Sequence, residues 1–396
     1  MLAAACIVWF YRPDRALKIG TASISQTLCD EVFVSGLDAD RVFAEEIQPQ
    51  RGLRRLRRRL RYTVDSDRRQ VIVTWAGHFA SMATYHQGYG CSQGDVDALG
   101  AAPEFPNPAL ADDPTTPITP VDAKLNEALD RAFAESLQPP YRRVRAIVVM
   151  RDGKIVAERY AQGIGPGTPL LSYSVSKSVI NALIGILVRE GKLNLYEPAP
   201  VSAWSSPADP RHAITLDQLL RMTSGLNLEE SDSGFDPVSR MLFIERDMAA
   251  YAEKAKLIAK PGQTWEYTSG NTLIVSAIVR DAVGGHAADV LRFAHRELFD
   301  PIGMRHVTVE FDNAGTPIGS TRILASARDW ARFGELYLND GVVEGKRILP
   351  EGWVRYSTKP TLDSPYGSGF WVNAGQHEDA RGRVQAGMPA DSYFAS

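Results

Sequence analysis

A serine stands three residues ahead of a lysine in Leu171-Ser172-Tyr173-Ser174-Val175-Ser176-Lys177-Ser178-Val179-Ile180, at the head of an apolar run with helical character. Positions i and i+3 share one helix face, which brings the Ser174 hydroxyl and the Lys177 amine within hydrogen-bonding reach. Such a pair is a nucleophile beside a base, provided that burial or a neighbouring cation lowers the pKa of a lysine that is otherwise protonated at neutral pH. A second candidate lies at Trp265-Glu266-Tyr267-Thr268-Ser269-Gly270-Asn271, just after the turn Lys260-Pro261-Gly262-Gln263. A tyrosine on a loop before a helix can present its oxygen to a cleft, and as a phenolate beside an ammonium Tyr267 would share the base role with Lys177.

Competing chemistries lack their marks. The chain has no G-x-S-x-G elbow, none of its seven histidines sits in a motif, and Gly163-Ile164-Gly165-Pro166-Gly167 reads as a turn rather than a phosphate loop. Its three cysteines, Cys6, Cys29 and Cys91, show no metal-ligand spacing, so neither a metal nor an organic cofactor is expected. A formal net charge of −3 supplies no basic field for nucleic acid, which leaves small molecules or peptides as partners.

With 396 residues, 44% of them hydrophobic, the chain can bury a large core and divides into regions of different character. Residues 1–18 open on Met1-Leu2-Ala3-Ala4-Ala5-Cys6-Ile7-Val8-Trp9-Phe10-Tyr11 and read as the remnant of a membrane anchor, since this apolar run is shorter than the roughly 20 residues a span requires. A cell-envelope location, periplasmic or anchored and facing outside the cytoplasm, follows from that reading. Cys29 and Cys91 would there form one structural disulfide or stand as two buried thiols. Residues 19–100 form an N-terminal extension. Its arginine-rich run carries Leu53, Leu56 and Leu60 at helical spacing, and Val71–Trp75 and Phe79–Tyr85 form a strand pair ending at Gly90-Cys91.

Residues 101–120, rich in proline and alanine, read as a linker. Beyond it, residues 121–396 hold an amphipathic helix over 121–137, a hairpin with an Asp152-Gly153 turn, and helices over 178–190, 216–222, 249–258, 272–283, 287–298 and 326–338. Strand character returns at 366–373. The whole is an α+β protein whose antiparallel sheet is flanked by helices and closed by segments distant in sequence, beside a mostly helical region.

In order along the chain, Ser174-Val175-Ser176-Lys177, Leu219-Leu220-Arg221-Met222-Thr223-Ser224-Gly225-Leu226, Tyr267-Thr268-Ser269, Gly319-Ser320-Thr321-Arg322, Ala327 to Gly334 and Tyr366-Gly367 to Phe370-Trp371 resemble the serine β-lactamase and penicillin-recognising superfamily. The likeness is to its class C-like branch, nearest to 6-aminohexanoate-dimer hydrolases and related esterases. The resemblance implies a β-lactamase/transpeptidase-like fold, Ser174 as the acylated nucleophile, Lys177 as proton acceptor and Tyr267 as partner base. It also implies an oxyanion donor in the Ser174 backbone N–H.

Where the family's Y-x-N motif ends in asparagine this chain has Ser269, with Asn271 two residues on, and these two are the candidate substrate-binding residues. The departure favours small amides and esters as substrates. β-Lactam or D-alanyl-D-alanine hydrolysis is the runner-up, and a non-catalytic penicillin-recognising binding module is the reading from another class. Relatives carry a third motif, glycine-rich and on a strand, after the position at which this chain ends. The resemblance therefore predicts a fragment, less stable and less active for want of that strand.

Overall fold

The computed structural model describes residues 13–50, 57–93, 99–105, 116–120, 122–231 and 233–396. Residues 1–12, on which most of the expected anchor remnant falls, lie outside them, as do Leu53, Leu56 and the middle of the proline-rich stretch. From Pro13 the chain is helical. Helix α1 (Pro13–Cys29) lies on an antiparallel sheet of β1 (Leu60–Asp65), β2 (Gln70–Trp75), β3 (His78–His86) and β4 (Gly90–Gln93), ordered as in the chain.

The pleat sorts the residues of this sheet. Val71, Val73 and Ala83 are fully buried with Ile24, Leu28 and Leu60, whereas Ile72 and Met82 on the other face are exposed. The expected strand pair is β2 and β3, with two further strands flanking it. Two details differ from expectation. Cys91 lies within β4 rather than at a strand exit, and Leu60 opens β1, so the arginine-rich run is no continuous helix. Among the described residues no helix is long and apolar enough to cross a membrane.

Cys29, the last residue of α1, and Cys91 are joined by a disulfide that closes a separation of 62 residues. A cross-link of that span restricts the unfolded chain, and its loss costs typically about 2–4 kcal/mol. Urea unfolding with and without reductant should show a midpoint lowered accordingly on reduction, with an unchanged midpoint in a Cys29→Ala/Cys91→Ala variant.

The rest of the chain builds a larger core. Helix α2 (Ala123–Phe133) precedes the hairpin β5 (Ala146–Arg151) and β6 (Lys154–Tyr160), whose Asp152 and Gly153 both have positive φ, as the tightest hairpin turn requires. Strand β7 (Leu170–Leu171) pairs with β9 (Ile323–Ala325), which pairs in turn with β8 (Val307–Val309). Segments distant in sequence thus close a sheet. The sheet is less continuous than expected, because hairpin β5–β6 pairs with none of these strands among the described residues.

Helix α3 (Ser176–Arg189) runs through the centre of this core, buried on all sides from Ser176 to Leu187. Around it are α4 (Leu216–Leu220), α5 (Pro237–Ile244), α6 (Met248–Glu253), α7 (Ser269–Val283), α8 (Ala287–Ala294) and α9 (Ala327–Leu338). Helix α5 is unexpected; it starts where Asp236 accepts from the Ser239 N–H at 2.8 Å and Pro237 takes the first helical position. Near the end, β10 (Trp371–Val372) pairs with β11 (Tyr393–Phe394).

A buried ionic cluster fastens the N-terminal sheet to this core. The Arg322 guanidinium pairs with Asp30, Glu310 accepts from the Cys91 N–H at 2.6 Å, and Gln26 donates to Glu310 at 3.0 Å and to Asp30 at 3.1 Å. Burial, reinforced by the adjacent Asp30 charge, pushes the Glu310 carboxyl well above its ordinary value, and burial raises Asp30 as well. Asp30, Glu310 and Cys91 are close enough together to suggest metal ligands, but the Cys91 sulfur is committed to the disulfide.

Candidate active site

Ser174 lies in a single tight turn, Tyr173–Val175, immediately ahead of α3 rather than within it. Tyr173 has φ +47°, a left-handed conformation that costs a non-glycine residue on the order of 1 kcal/mol and that turns the chain sharply into the helix. Ser176 anchors this turn, since its hydroxyl accepts from the Ile323 N–H at 3.1 Å and meets the Ser172 hydroxyl at 2.9 Å.

Lys177, one turn further on and buried, donates to the Ser174 hydroxyl at 2.9 Å, to the Ser269 hydroxyl at 3.2 Å and to the Ser320 carbonyl at 3.0 Å. An ammonium has three N–H donors, and these three acceptors match them. Its Nζ also lies 4.8 Å from the centre of the Tyr267 ring, an arrangement that favours the charged amine. Tyr267 therefore presents its ring face to the lysine, within an aromatic cluster of Tyr366 at 5.5 Å and Trp371 at 5.3 Å between centroids.

The Ser320 carbonyl reaches Lys177 because residue 319 is glycine. A Cβ there would stand 2.3 Å from Cγ1 of Ile180, inside any real contact distance, and would push the loop away from α3. Ser269 begins α7, whose N-cap Thr268 accepts from the Gly270 N–H at 3.1 Å. The Ser269 hydroxyl donates to Glu230 Oε1 at 2.9 Å, and the Ser269 backbone N–H donates to the other oxygen of the same carboxylate. A carboxylate at this helix end also meets the positive end of the helix dipole.

Ser174, Lys177 and Tyr267 are thus brought together. Ser269 joins them, but it is fully buried, with its hydroxyl held between Lys177 and Glu230 rather than turned to a ligand. Asn271, the other candidate substrate-binding residue, does not join them. Two residues along a helix is about 200° of rotation, so Asn271 faces away from Ser269. It is buried and accepts from the Ser224 hydroxyl at 2.8 Å, fixing the Thr223-Ser224-Gly225 segment against α7.

Sequence reading passed over Glu230, the Ser320 carbonyl and the ring of Trp371 as site groups. Glu230 lies on a loop with no local pattern to mark it, beside an equally acidic Glu229. Its position depends on Gly270, where a Cβ would come within 2.7 Å of Leu228 Cδ1, so that glycine lets the 227–231 loop lie close on the first turn of α7. A broad groove lined by Leu171, Ser172, Val175, Trp330 and Phe370 among others does not include Ser174.

A hydroxyl at the head of a buried helix with a lysine amine on it, inside an α+β core, defines a penicillin-recognising type of serine site. Residues 129–387 match the β-lactamase family model, well over half of the chain, and the protein belongs to that family. Among curated proteins it is similar to the 6-aminohexanoate-dimer hydrolase of Paenarthrobacter ureafaciens, with 27% identity over 259 residues covering 61% of this chain and 64% of the relative. It is also similar to a provisionally assigned penicillin-binding protein of Bacillus subtilis, 25% identical over 59% of this chain and 63% of that one. The chain thus spans less than two thirds of these relatives. A solved structure from Bacillus anthracis, provisionally assigned as a 6-aminohexanoate-dimer hydrolase, superposes with a TM-score of 0.51 at 24% identity, covering 63% of this chain and 67% of that one, and shares the β-lactamase/transpeptidase-like fold.

Proposed function

We propose that this chain is a serine hydrolase that forms an acyl-enzyme on Ser174 and acts on small amides or esters. The observation that carries the reading is the 2.9 Å hydrogen bond between Lys177 Nζ and Ser174 Oγ, which puts a proton carrier on the nucleophile. In the reaction, Ser174 Oγ attacks the substrate carbonyl carbon as its proton passes to the lysine. The tetrahedral intermediate then expels the leaving group, which takes that proton, and water repeats the sequence on the acyl-enzyme. The Ser174 backbone N–H, in the turn at the head of α3, and the helix dipole would serve the developing oxyanion.

The amide and ester preference is supported by position 269, where a short hydroxyl already engaged by Lys177 and Glu230 leaves no side-chain amide to hold a substrate acyl group. The match to a 6-aminohexanoate-dimer hydrolase points the same way. A location outside the cytoplasm fits the Cys29–Cys91 disulfide, because such bonds persist in oxidising compartments. The test is turnover on matched substrates. Sustained hydrolysis of p-nitrophenyl esters and linear amides, with nitrocefin turned over far more slowly, is the expected result. Nitrocefin hydrolysis at the ester rate would reassign the protein as a β-lactamase, and one-for-one labelling without turnover would make it a binding module.

A further inference from the structure

On that acyl-transfer reading we propose that Glu230 is a positioning residue that unloads Lys177, taking its proton through the Ser269 hydroxyl so that the lysine meets Ser174 as a neutral amine. The geometry poses a proton problem. Lys177 has three acceptors and an aromatic face around it, all of which stabilise the ammonium, and an ammonium cannot accept the Ser174 proton. Of the three acceptors, Ser174 is the nucleophile and the Ser320 carbonyl has no proton to pass on. Ser269 alone of them has an onward partner, a carboxylate oxygen at 2.9 Å. Its hydroxyl accepts from Lys177 and donates to Glu230, which is the polarity a relay needs.

The transfer balances within the site. One N–H bond of the ammonium and the O–H bond of Ser269 break, while a new O–H bond forms on Ser269 and another on Glu230. Ammonium and carboxylate become amine and carboxylic acid, with no proton exchanged with solvent. Lys177 then accepts the Ser174 proton as the acyl bond forms and returns it to the leaving group. Among the described residues, titratable groups near the carboxylate include its neighbour Glu229, Tyr366, which feels the Glu230 charge, and, on the loop before α7, Tyr267 beside Tyr366 and Glu266 beside Glu229.

The pH dependence of kcat/KM for a p-nitrophenyl ester separates this role from its alternatives. With the relay, the Lys177–Glu230 pair stays active while it holds one proton, and the pair as a unit sets the acid limb of the wild-type protein. In Glu230→Gln, activity must wait for Lys177 to lose its proton to solvent. The limb is then expected to move upward by at least about one pH unit, a tenfold loss of rate below it. Ser269→Ala, which keeps the Glu230 charge but cuts the hydroxyl path, is expected to do the same, and Ser269→Thr to return the limb toward wild type. If Glu230 only paired electrostatically with the lysine, Glu230→Gln would move the limb downward; if it only capped α7, the limb would stay and the melting temperature alone would fall. Either result overturns the relay while leaving Ser174 acylation in place, whereas absence of Ser174 acylation in the wild type overturns the parent reading along with it.

Discussion

Replacing Ser174 by alanine is expected to lower kcat/KM for any turned-over ester by about 10⁴-fold or more, and Lys177→Ala by a comparable factor, with the double variant little worse than either. The non-additivity follows from the geometry. Ser174 without a proton carrier is an alcohol at its ordinary pKa, and Lys177 without Ser174 has nothing to activate, so removing one forfeits the work of both. Folding should survive in Ser174→Ala, because the half-buried hydroxyl makes one named hydrogen bond, to the lysine. Lys177→Ala is less benign, since it strips partners from the buried Ser269 hydroxyl and from the Ser320 carbonyl. Steady-state kinetics with circular dichroism on each variant check both expectations, and additive losses would show that the two residues do not act as a unit.

The second large effect is on stability. Arg322→Met should destabilise the protein by about 3–5 kcal/mol, because it leaves Asp30, a fully buried carboxylate, without its cation. Glu310→Gln should cost less, about 1–3 kcal/mol, since the amide can still accept from the Cys91 N–H but turns its NH2 toward the Gln26 donor and so loses that hydrogen bond. The pH dependence distinguishes them further. Glu310 has a folded-state pKa raised well above its ordinary 4.5, chiefly by burial and then by the Asp30 charge, so folding takes up a proton there. The stability it contributes is therefore fully present below about pH 4.5 and declines as pH rises toward the folded-state value. Glu310→Gln should flatten that decline in urea titrations run across the neutral range. A steeper decline in the variant would contradict the raised folded-state pKa of Glu310.

Different parts of this account were legible in the sequence for different reasons. The Ser174 and Lys177 pairing follows from helical spacing alone, and the hairpin at Asp152-Gly153 from turn chemistry, because both are local. Tyr267 could be located through the order of several motifs, though not the orientation of its ring, which Tyr366 and Trp371 set from about a hundred residues away. The placing of Asn271 apart from Ser269 could not be read locally, because a spacing of two means the same side on a strand and opposite sides on a helix; Ser269 begins α7, and the helix decides.

Glu230 had no local signal at all, since its approach to Ser269 depends on Leu228 packing over a glycine in another element. Helix α1 was hidden for a related reason. Its buried face mixes Thr21, Ser25 and Gln26 with Ile24 and Leu28: Thr21 bonds the sheet at Phe79 and Ser81, Gln26 bonds Cys91 and the Glu310 cluster, and Ser25 bonds the Ala22 carbonyl within the helix. A pattern search for an apolar stripe passes over a helix whose buried face is interrupted by polar residues.

The central claim is that Ser174 becomes acylated, and intact-mass spectrometry after brief mixing with a p-nitrophenyl ester tests it most directly. The expected spectrum shows one added acyl group, mapped by peptide digestion to the segment carrying Ser174, that decays with time in the wild type and never forms in Ser174→Ala. An adduct on any other residue, or one that persists unchanged in Ser174→Ala, would contradict the account.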